Sequence, residues 1–166
     1  MVVPYDPVWV ACFSAERERL LALFAPREAR IEHVGSTSVP GLAAKPIVDM
    51  LLGVRRLADV ERRIPVLEAR GWEYVPEHEA VFPERRFLAR PRRRPRTHHL
   101  HAVEIGSRFW NDHLAFRDQL RARPEDAAAY GRLKRELAAR HGSDRSAYTE
   151  AKTSFVEAIL ARVGGG

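Results

Sequence analysis

The sequence predicts an α/β (α+β) fold in which a mixed β-sheet core is followed by C-terminal helices. Two observations carry this prediction. Before Ser107, short runs of aliphatic and β-branched residues alternate with turn residues, which is typical of strands. From Ser107 onward, the apolar residues recur at helical spacing. Strands that precede a run of helices indicate an architecture with both element types in one core.

Periodicity and turn residues place two helices and five strands before Ser107. The helices cover residues 7–24 and 57–70, and Pro26 and Gly71 end them. Residues 36–44 form a turn with about one helical turn. The strands cover residues 30–34, 47–54, 72–74, 81–88 and 97–104.

Three helices follow, over residues 107–122, 124–141 and 146–163. Ser107 and Ser146 are the expected caps of the first and the third, because a serine hydroxyl can accept from free N–H groups of the first turn. The final glycines are expected to form a frayed tail.

Length and composition predict a single domain over residues 1–166 with a sizeable core. Only one cysteine, Cys12, is present, so no intramolecular disulfide can form and a reducing compartment is expected. No run reaches the roughly 18 apolar residues of a membrane span. The N-terminus lacks the basic and apolar parts of a signal peptide. We therefore expect a cytoplasmic protein with no membrane partner.

The net charge of +6 is concentrated in one segment. It contains Arg85, Arg86, Arg90, Arg92, Arg93, Arg94 and Arg96. One interpretation is a patch for nucleic acid or phosphate. We favour a solvated hairpin tip, because Pro83, Pro91 and Pro95 punctuate the segment as a loop. Nucleic acid is therefore not the expected partner, whereas an anionic small molecule is.

Asp49 is a carboxylate inside the apolar run 47–54, fourteen residues after Gly35. Burying it is costly unless a cation, a metal or hydrogen bonds compensate its charge. The Gly35-Ser36 turn has the chemistry of a loop whose N–H groups face an anion. Together they suggest a phosphate and metal site. The ordinary alternative is a structural carboxylate paired with Lys45 or an arginine.

His99 and His101 are two residues apart, so on a strand they share one face and His98 takes the other. Such a pair can supply imidazole ligands to a metal or donate hydrogen bonds to a phosphate. It can also be a polar strand face satisfied by water. His33 is interpreted as a turn residue or a support for the site.

The string from His33 to Asp49 resembles the GrpB-like family of the nucleotidyltransferase superfamily. The superfamily pattern is an apolar residue, Gly, then Gly or Ser, followed after a spacer by Asp-x-Asp or Asp-x-Glu. Val34, Gly35, Ser36 and Asp49 match it, but Leu51 stands at the second acidic position. The resemblance extends over nearly the whole chain, through His99-Leu100-His101, Phe116-Arg117-Asp118, Leu120-Arg121, Tyr130 with Lys134, and Tyr148 with Lys152.

The resemblance implies a nucleotidyltransferase that acts on a nucleoside triphosphate and an unknown small acceptor. Asp49 would be the catalytic residue and, with His99 and His101, would hold a divalent metal, either Mg²⁺ or a transition metal. The expected nucleotide- or phosphate-binding residues are Gly35, Ser36, Lys45, Arg117, Lys134, Tyr148 and Lys152.

Leu51 favours a second possibility, a catalytically degenerate protein that binds a nucleotide or an anionic metabolite. GrpB-like domains resemble a module found fused to dephospho-CoA kinase, which suggests a ligand related to CoA. The pairs Tyr130–Lys134 and Tyr148–Lys152 lie at i and i+4 on their helices. They could form a pocket wall, or pack ring against alkyl stem as structure. The sequence sets no oligomeric state.

Overall fold

The computed structural model describes residues 1–142 and 144–164. They form two compact units, Met1–Asn111 and a second that begins at Asp112. Of the predicted frayed tail, residues 164–166, Gly164 is the last residue of the final helix, and Gly165 and Gly166 lie outside the described residues. That residues 1–166 make one domain stays a prediction.

A mixed five-stranded sheet with the order β1-β2-β5-β4-β3 forms the centre of the first unit. The strands are β1 Ala29–Val34, β2 Val48–Val54, β3 Glu73–Tyr74, β4 Arg86–Arg90 and β5 His98–Glu104. Strands β2 and β5 are parallel, and the other neighbours are antiparallel. The predicted α/β fold with a mixed sheet is therefore confirmed.

One face of the sheet carries the hydrophobic core. Alternate residues of β2, including Met50 and Leu52, point to this face and are fully buried. Trp9 and Leu20 of helix α1, Val8–Leu21, join the same core. The intervening residues of β2 and β5 therefore point to the opposite face, which is where Asp49 lies.

The helix predicted over residues 57–70 is two short helices, α2 Leu57–Glu61 and α3 Ile64–Ala69. Pro65 explains the break, because it lacks an N–H donor and its ring would clash with the carbonyl of Glu61 in a continuous helix. Arg63 secures the break by donating to the Asp59 carbonyl at 2.6 Å and to the Leu23 carbonyl at 2.8 Å.

The strand predicted over residues 81–88 begins later, at Arg86. A 3₁₀ helix, Pro76–Ala80, precedes it, and Val81 is exposed. The apolar residues before Arg86 therefore belong to a loop.

The arginine segment is not simply a solvated tip. Arg85 is buried, and Arg86, Arg90 and Arg96 pair with Glu61, Glu16 and Glu73. The middle of the segment, at Arg92, Arg93 and Arg94, is exposed as predicted. Three of the seven arginines are therefore held by carboxylates of other elements.

Helix α4, Arg108–Ala122, starts in the first unit, and α5, Pro124–His141, and α6, Arg145–Gly164, lie in the second. Ser107 caps α4, as its hydroxyl accepts from the Trp110 N–H at 3.4 Å. Ser146 does not cap α6. Asp144 takes that place, accepting from the Ala147 N–H at 3.1 Å. Among the described residues, no helix combines the length and apolar character that crossing a bilayer requires.

Candidate functional site

Parallel pairing of β2 and β5 brings Asp49 beside the two histidines. Asp49 is in register with His99, and each lies one residue into its strand. Side chains alternate along a strand, so His101 follows His99 on the face of Asp49. The same alternation sends Leu100 into the core on the opposite face.

Both histidines contact the same carboxylate oxygen. His101 Nε2 lies 3.1 Å and His99 Nδ1 lies 3.4 Å from Asp49 Oδ1. The three side chains stay partly open to solvent, with 29% of Asp49, 26% of His99 and 16% of His101 exposed. Asp49 is therefore paired with imidazoles, and not with Lys45 or an arginine as in the structural alternative. A ligand can still reach all three side chains.

Gly35 packs directly on the carboxylate from the end of β1. Its φ is 74° and its ψ is −177°, a combination that essentially only glycine adopts. A Cβ added at Gly35 would lie 2.6 Å from Asp49 Oδ2. Gly35 is exposed, and a 3₁₀ turn, Ser36–Ser38, follows it. The glycine therefore keeps Oδ2 uncovered at the rim of a loop.

Arg85 is the residue of this cluster that the sequence analysis did not single out. Its Nη1 lies 3.2 Å from His101 Nδ1, and its Nη2 lies 3.3 Å from His78 Nδ1. Only 8% of Arg85 is exposed. In the sequence, Arg85 could not be distinguished from the other arginines of the same segment. One sequence feature could have identified it. Arg85 directly precedes a strand and lies between Phe82 and Phe87, and an arginine in that position can pack its guanidinium on the two aromatic rings.

The contacts set the charges of the cluster. Burial raises the pKa of Asp49, but the hydrogen bonds from His101 and His99 outweigh burial and hold the pKa well below its ordinary value. Burial lowers the pKa of His101, and the hydrogen bond to Asp49 offsets this only in part. At neutral pH the cluster therefore holds an ionised carboxylate beside a neutral His101.

Ligand atoms of Asp49, His99 and His101 all lie within 4.8 Å of one another, a spacing compatible with one metal ion. An ionised carboxylate and an accessible imidazole suit Mn²⁺ or Zn²⁺ by donor chemistry. Asp49 and His99 meet that test. His101 has a partner on each ring nitrogen, so its fit depends on which nitrogen carries the proton.

Two other residues of the first unit that the sequence analysis considered have surroundings of their own. Lys45 is exposed. His33 lies on the core face, where it stacks on Phe13 at 4.8 Å between ring centroids and bonds the Thr37 hydroxyl at 2.9 Å. It is therefore a structural residue of the turn.

Four predicted phosphate contacts lie in the second unit, and their role stays a prediction: Arg117, Lys134, Tyr148 and Lys152. Lys134 lies over the ring of Tyr130, with Nζ 5.0 Å from the centroid. This contact resembles the packing alternative for that pair. Arg117 bonds Asp118 Oδ1 at 2.9 Å.

The fold and the cluster define an α/β protein with a glycine loop that faces an aspartate and two strand-borne histidines. The family described as GrpB protein matches residues 1–162. The chain belongs to this family.

Solved and curated proteins agree with that assignment. The crystal structure of conserved protein GrpB from Enterococcus faecalis is 36% identical, with a TM-score of 0.85, and the match covers 98% of this chain and 96% of that one. The UPF0157 protein YqkA of Bacillus subtilis is 39% identical over 94% of this chain, which spans only 45% of that protein. A dephospho-CoA kinase of Mycolicibacterium paratuberculosis is 31% identical over 91% of this chain and 42% of its own length.

Proposed function

We propose that the chain binds a nucleoside triphosphate with a divalent metal at Asp49 and transfers a nucleotidyl group to a small acceptor. The observation that carries the proposal is the ionised Asp49 carboxylate against the exposed Gly35. A carboxylate facing a glycine loop supplies a hard oxygen ligand where backbone N–H groups can approach a phosphate. The resemblance to nucleotidyltransferases supports the same reading.

Asp49 and His99 are the residues that would hold the metal. A bound divalent ion would neutralise phosphate charge and orient the reacting group. Gly35 leaves room beside Asp49 Oδ2 for an ion and the phosphate that the ion carries. The Ser36 hydroxyl follows Gly35 in sequence and is a candidate donor to that phosphate. Lys45 and the cations of the second unit, Arg117, Lys134 and Lys152, remain proposed phosphate contacts. A cytoplasmic location is also a proposal.

A second candidate is a protein that binds a nucleotide or a CoA-related anion without turnover. Leu51 favours it, because this residue stands at the second acidic position and is fully buried. Metal-dependent nucleotidyl transfer ordinarily uses two carboxylates to hold two ions. The similarity to a dephospho-CoA kinase supports a CoA-related ligand.

Thermal unfolding with each nucleoside triphosphate and Mg²⁺ or Mn²⁺ tests both candidates. A ligand that binds only the native state at a hundredfold excess over its Kd stabilises by about 2.7 kcal/mol. We expect wild type to gain stability and Asp49→Asn to lose the metal-dependent part. Asp6→Asn is the matched control, because Asp6 is exposed and only caps helix α1.

Release of pyrophosphate in the same mixtures, with small acceptors added, separates the candidates. Release that Asp49→Asn abolishes supports transfer, whereas stabilisation without release supports binding alone. If no triphosphate and no CoA derivative stabilises wild type with any metal, both candidates are wrong.

A further inference from the structure

We infer that Arg85 fixes the ring proton of His101 on Nε2, so that His101 positions Asp49 as a hydrogen-bond donor and is not a metal ligand. A guanidinium carries five N–H donors and no acceptor. The His101 Nδ1 atom, 3.2 Å from Arg85 Nη1, must therefore accept. A neutral imidazole carries one ring proton, which leaves Nε2 as the donor to Asp49 Oδ1 at 3.1 Å.

The surroundings of Arg85 hold it in this role. Its guanidinium carbon lies 4.7 Å from the ring centroid of Phe82, 5.3 Å from that of Phe87 and 5.5 Å from that of Phe109. These faces attract a cation, and Arg85 is buried among them. Among the described residues, no carboxylate lies within ion-pair distance of Arg85. The side-chain hydrogen bonds of Arg85 therefore go to two imidazoles, His101 and His78. The buried guanidinium is stabilised only if the Nδ1 atoms of both rings accept these bonds.

A histidine that ligated a metal through Nε2 would need its proton on Nδ1, and that proton would face a donor of Arg85. Metal-bound histidines instead donate their other N–H to an acceptor. Ligation by His101 would thus break the Arg85 contact and leave a buried donor without its partner.

The consequence for the ligand rests on the proposed function. His101 occupies Asp49 Oδ1, so Oδ2, which faces Gly35, is the oxygen left for an ion. With only Asp49 and His99 as protein ligands, most positions around the ion remain for phosphate oxygens. Mg²⁺ and Mn²⁺ bind to such sites mainly together with a polyphosphate. The site should therefore take the metal–triphosphate complex and bind the free metal weakly.

Nuclear magnetic resonance of the histidine rings in the uniformly ¹⁵N-labelled full chain tests the tautomer without any ligand. At a pH where the imidazoles are neutral, we expect His101 to show the pattern of a proton on Nε2, with its signals assigned by loss in His101→Gln. A proton on Nδ1 in wild type would overturn the inference. Arg85→Met, which keeps an apolar stem among the rings, should release the ring to a mixture of tautomers. Arg86→Met, which removes the neighbour paired with Glu61, should not.

Replacing each histidine by glutamine distinguishes a metal ligand, the role given to His99, from a positioning residue, the role given to His101. A glutamine amide can replace the Nε2–H donor, so His101→Gln should keep Mn²⁺–triphosphate affinity within about threefold. His99→Gln should lose more than about tenfold, since even residues behind the ligands affect metal affinity by 10- to 100-fold. Equal loss in both variants would contradict the inference. If wild type binds neither metal nor triphosphate, the proposed function fails and the ring spectrum alone decides the tautomer.

Discussion

Replacing Gly35 by alanine should displace the Asp49 carboxylate and destabilise the fold. The new Cβ would lie 2.6 Å from Oδ2, 3.0 Å from the Asp49 Cβ and 3.1 Å from its Cγ. Rotation of the carboxylate moves only its oxygens, so the contacts to Cβ and Cγ remain. Relief therefore requires a shift of the backbone of β1 or β2, which are paired at this point.

Three terms set the expected loss of stability, two unfavourable and one opposing them. A residue other than glycine at the φ and ψ of Gly35 costs about 1–3 kcal/mol. The overlap with Asp49 adds about 1–3 kcal/mol, the usual cost of overpacking. Alanine also lowers the conformational entropy of the unfolded chain, which stabilises the folded state by about 0.4–1 kcal/mol. The net loss is about 3 kcal/mol, which for a chain of this length lowers the Tm by about 6–12 °C.

Gly41→Ala is the control. Gly41 also has a positive φ, 81°, but an added Cβ would meet nothing within 4 Å. Calorimetry should show a loss of about 1 kcal/mol in this variant, and the ring spectrum of His101 should stay unchanged. In Gly35→Ala the His101 signals should shift, since their partner moves. Equal losses in the two variants, with His101 unchanged in both, would refute the role given to Gly35.

Two further outcomes are expected. Gly53→Ala should cost about 1–3 kcal/mol in urea unfolding by overpacking, since its Cβ would lie 2.5 Å from Trp110 Cζ3 and 2.6 Å from Ile105 Cγ1; an unchanged midpoint would contradict this packing. Hydrogen bonds from Gln119 and Arg162 lower the pKa of Asp126. Its stabilisation is therefore present above the unfolded pKa of about 3.9 and is lost as pH falls through the lower folded value. Asp126→Asn should lower the unfolding free energy at pH 7 and flatten its decline in acid, and an unchanged pH slope would count against this contact.

Local patterns predicted the elements whose signals were also local. Helix α5 has the predicted bounds, residues 124–141, because Pro124 suits a first turn and Glu125 and Asp126 favour the N-terminal end of a helix. The strand alternation that placed His99 and His101 on one face is equally local, whereas the parallel pairing of β2 with β5 that brings them to Asp49 is not. Pro65 was also a visible signal, but the prediction of one helix over residues 57–70 did not use it and was wrong.

What the sequence could not supply depended on distant partners. The role of Arg85 requires Phe109 and His101, which reach it only through the fold. Arg86, Arg90 and Arg96 looked alike as a run of charge, yet each meets a carboxylate on another element. Burial and pairing are tertiary properties, so a charge run alone does not separate a buried arginine from a solvated one.

The distance along the chain between Asp49 and His101 has a kinetic consequence. Their hydrogen bond closes a separation of 52 residues, and between β2 and β5 lie α2, α3 and the β3–β4 pair. Forming a contact between residues this far apart has a large entropic cost of loop closure, and this cost slows folding. The cluster is therefore absent from any partly folded state in which β5 has not yet joined β2. Ligand binding then reports on completion of the sheet, and a ligand present during folding can stabilise only molecules that have passed that step.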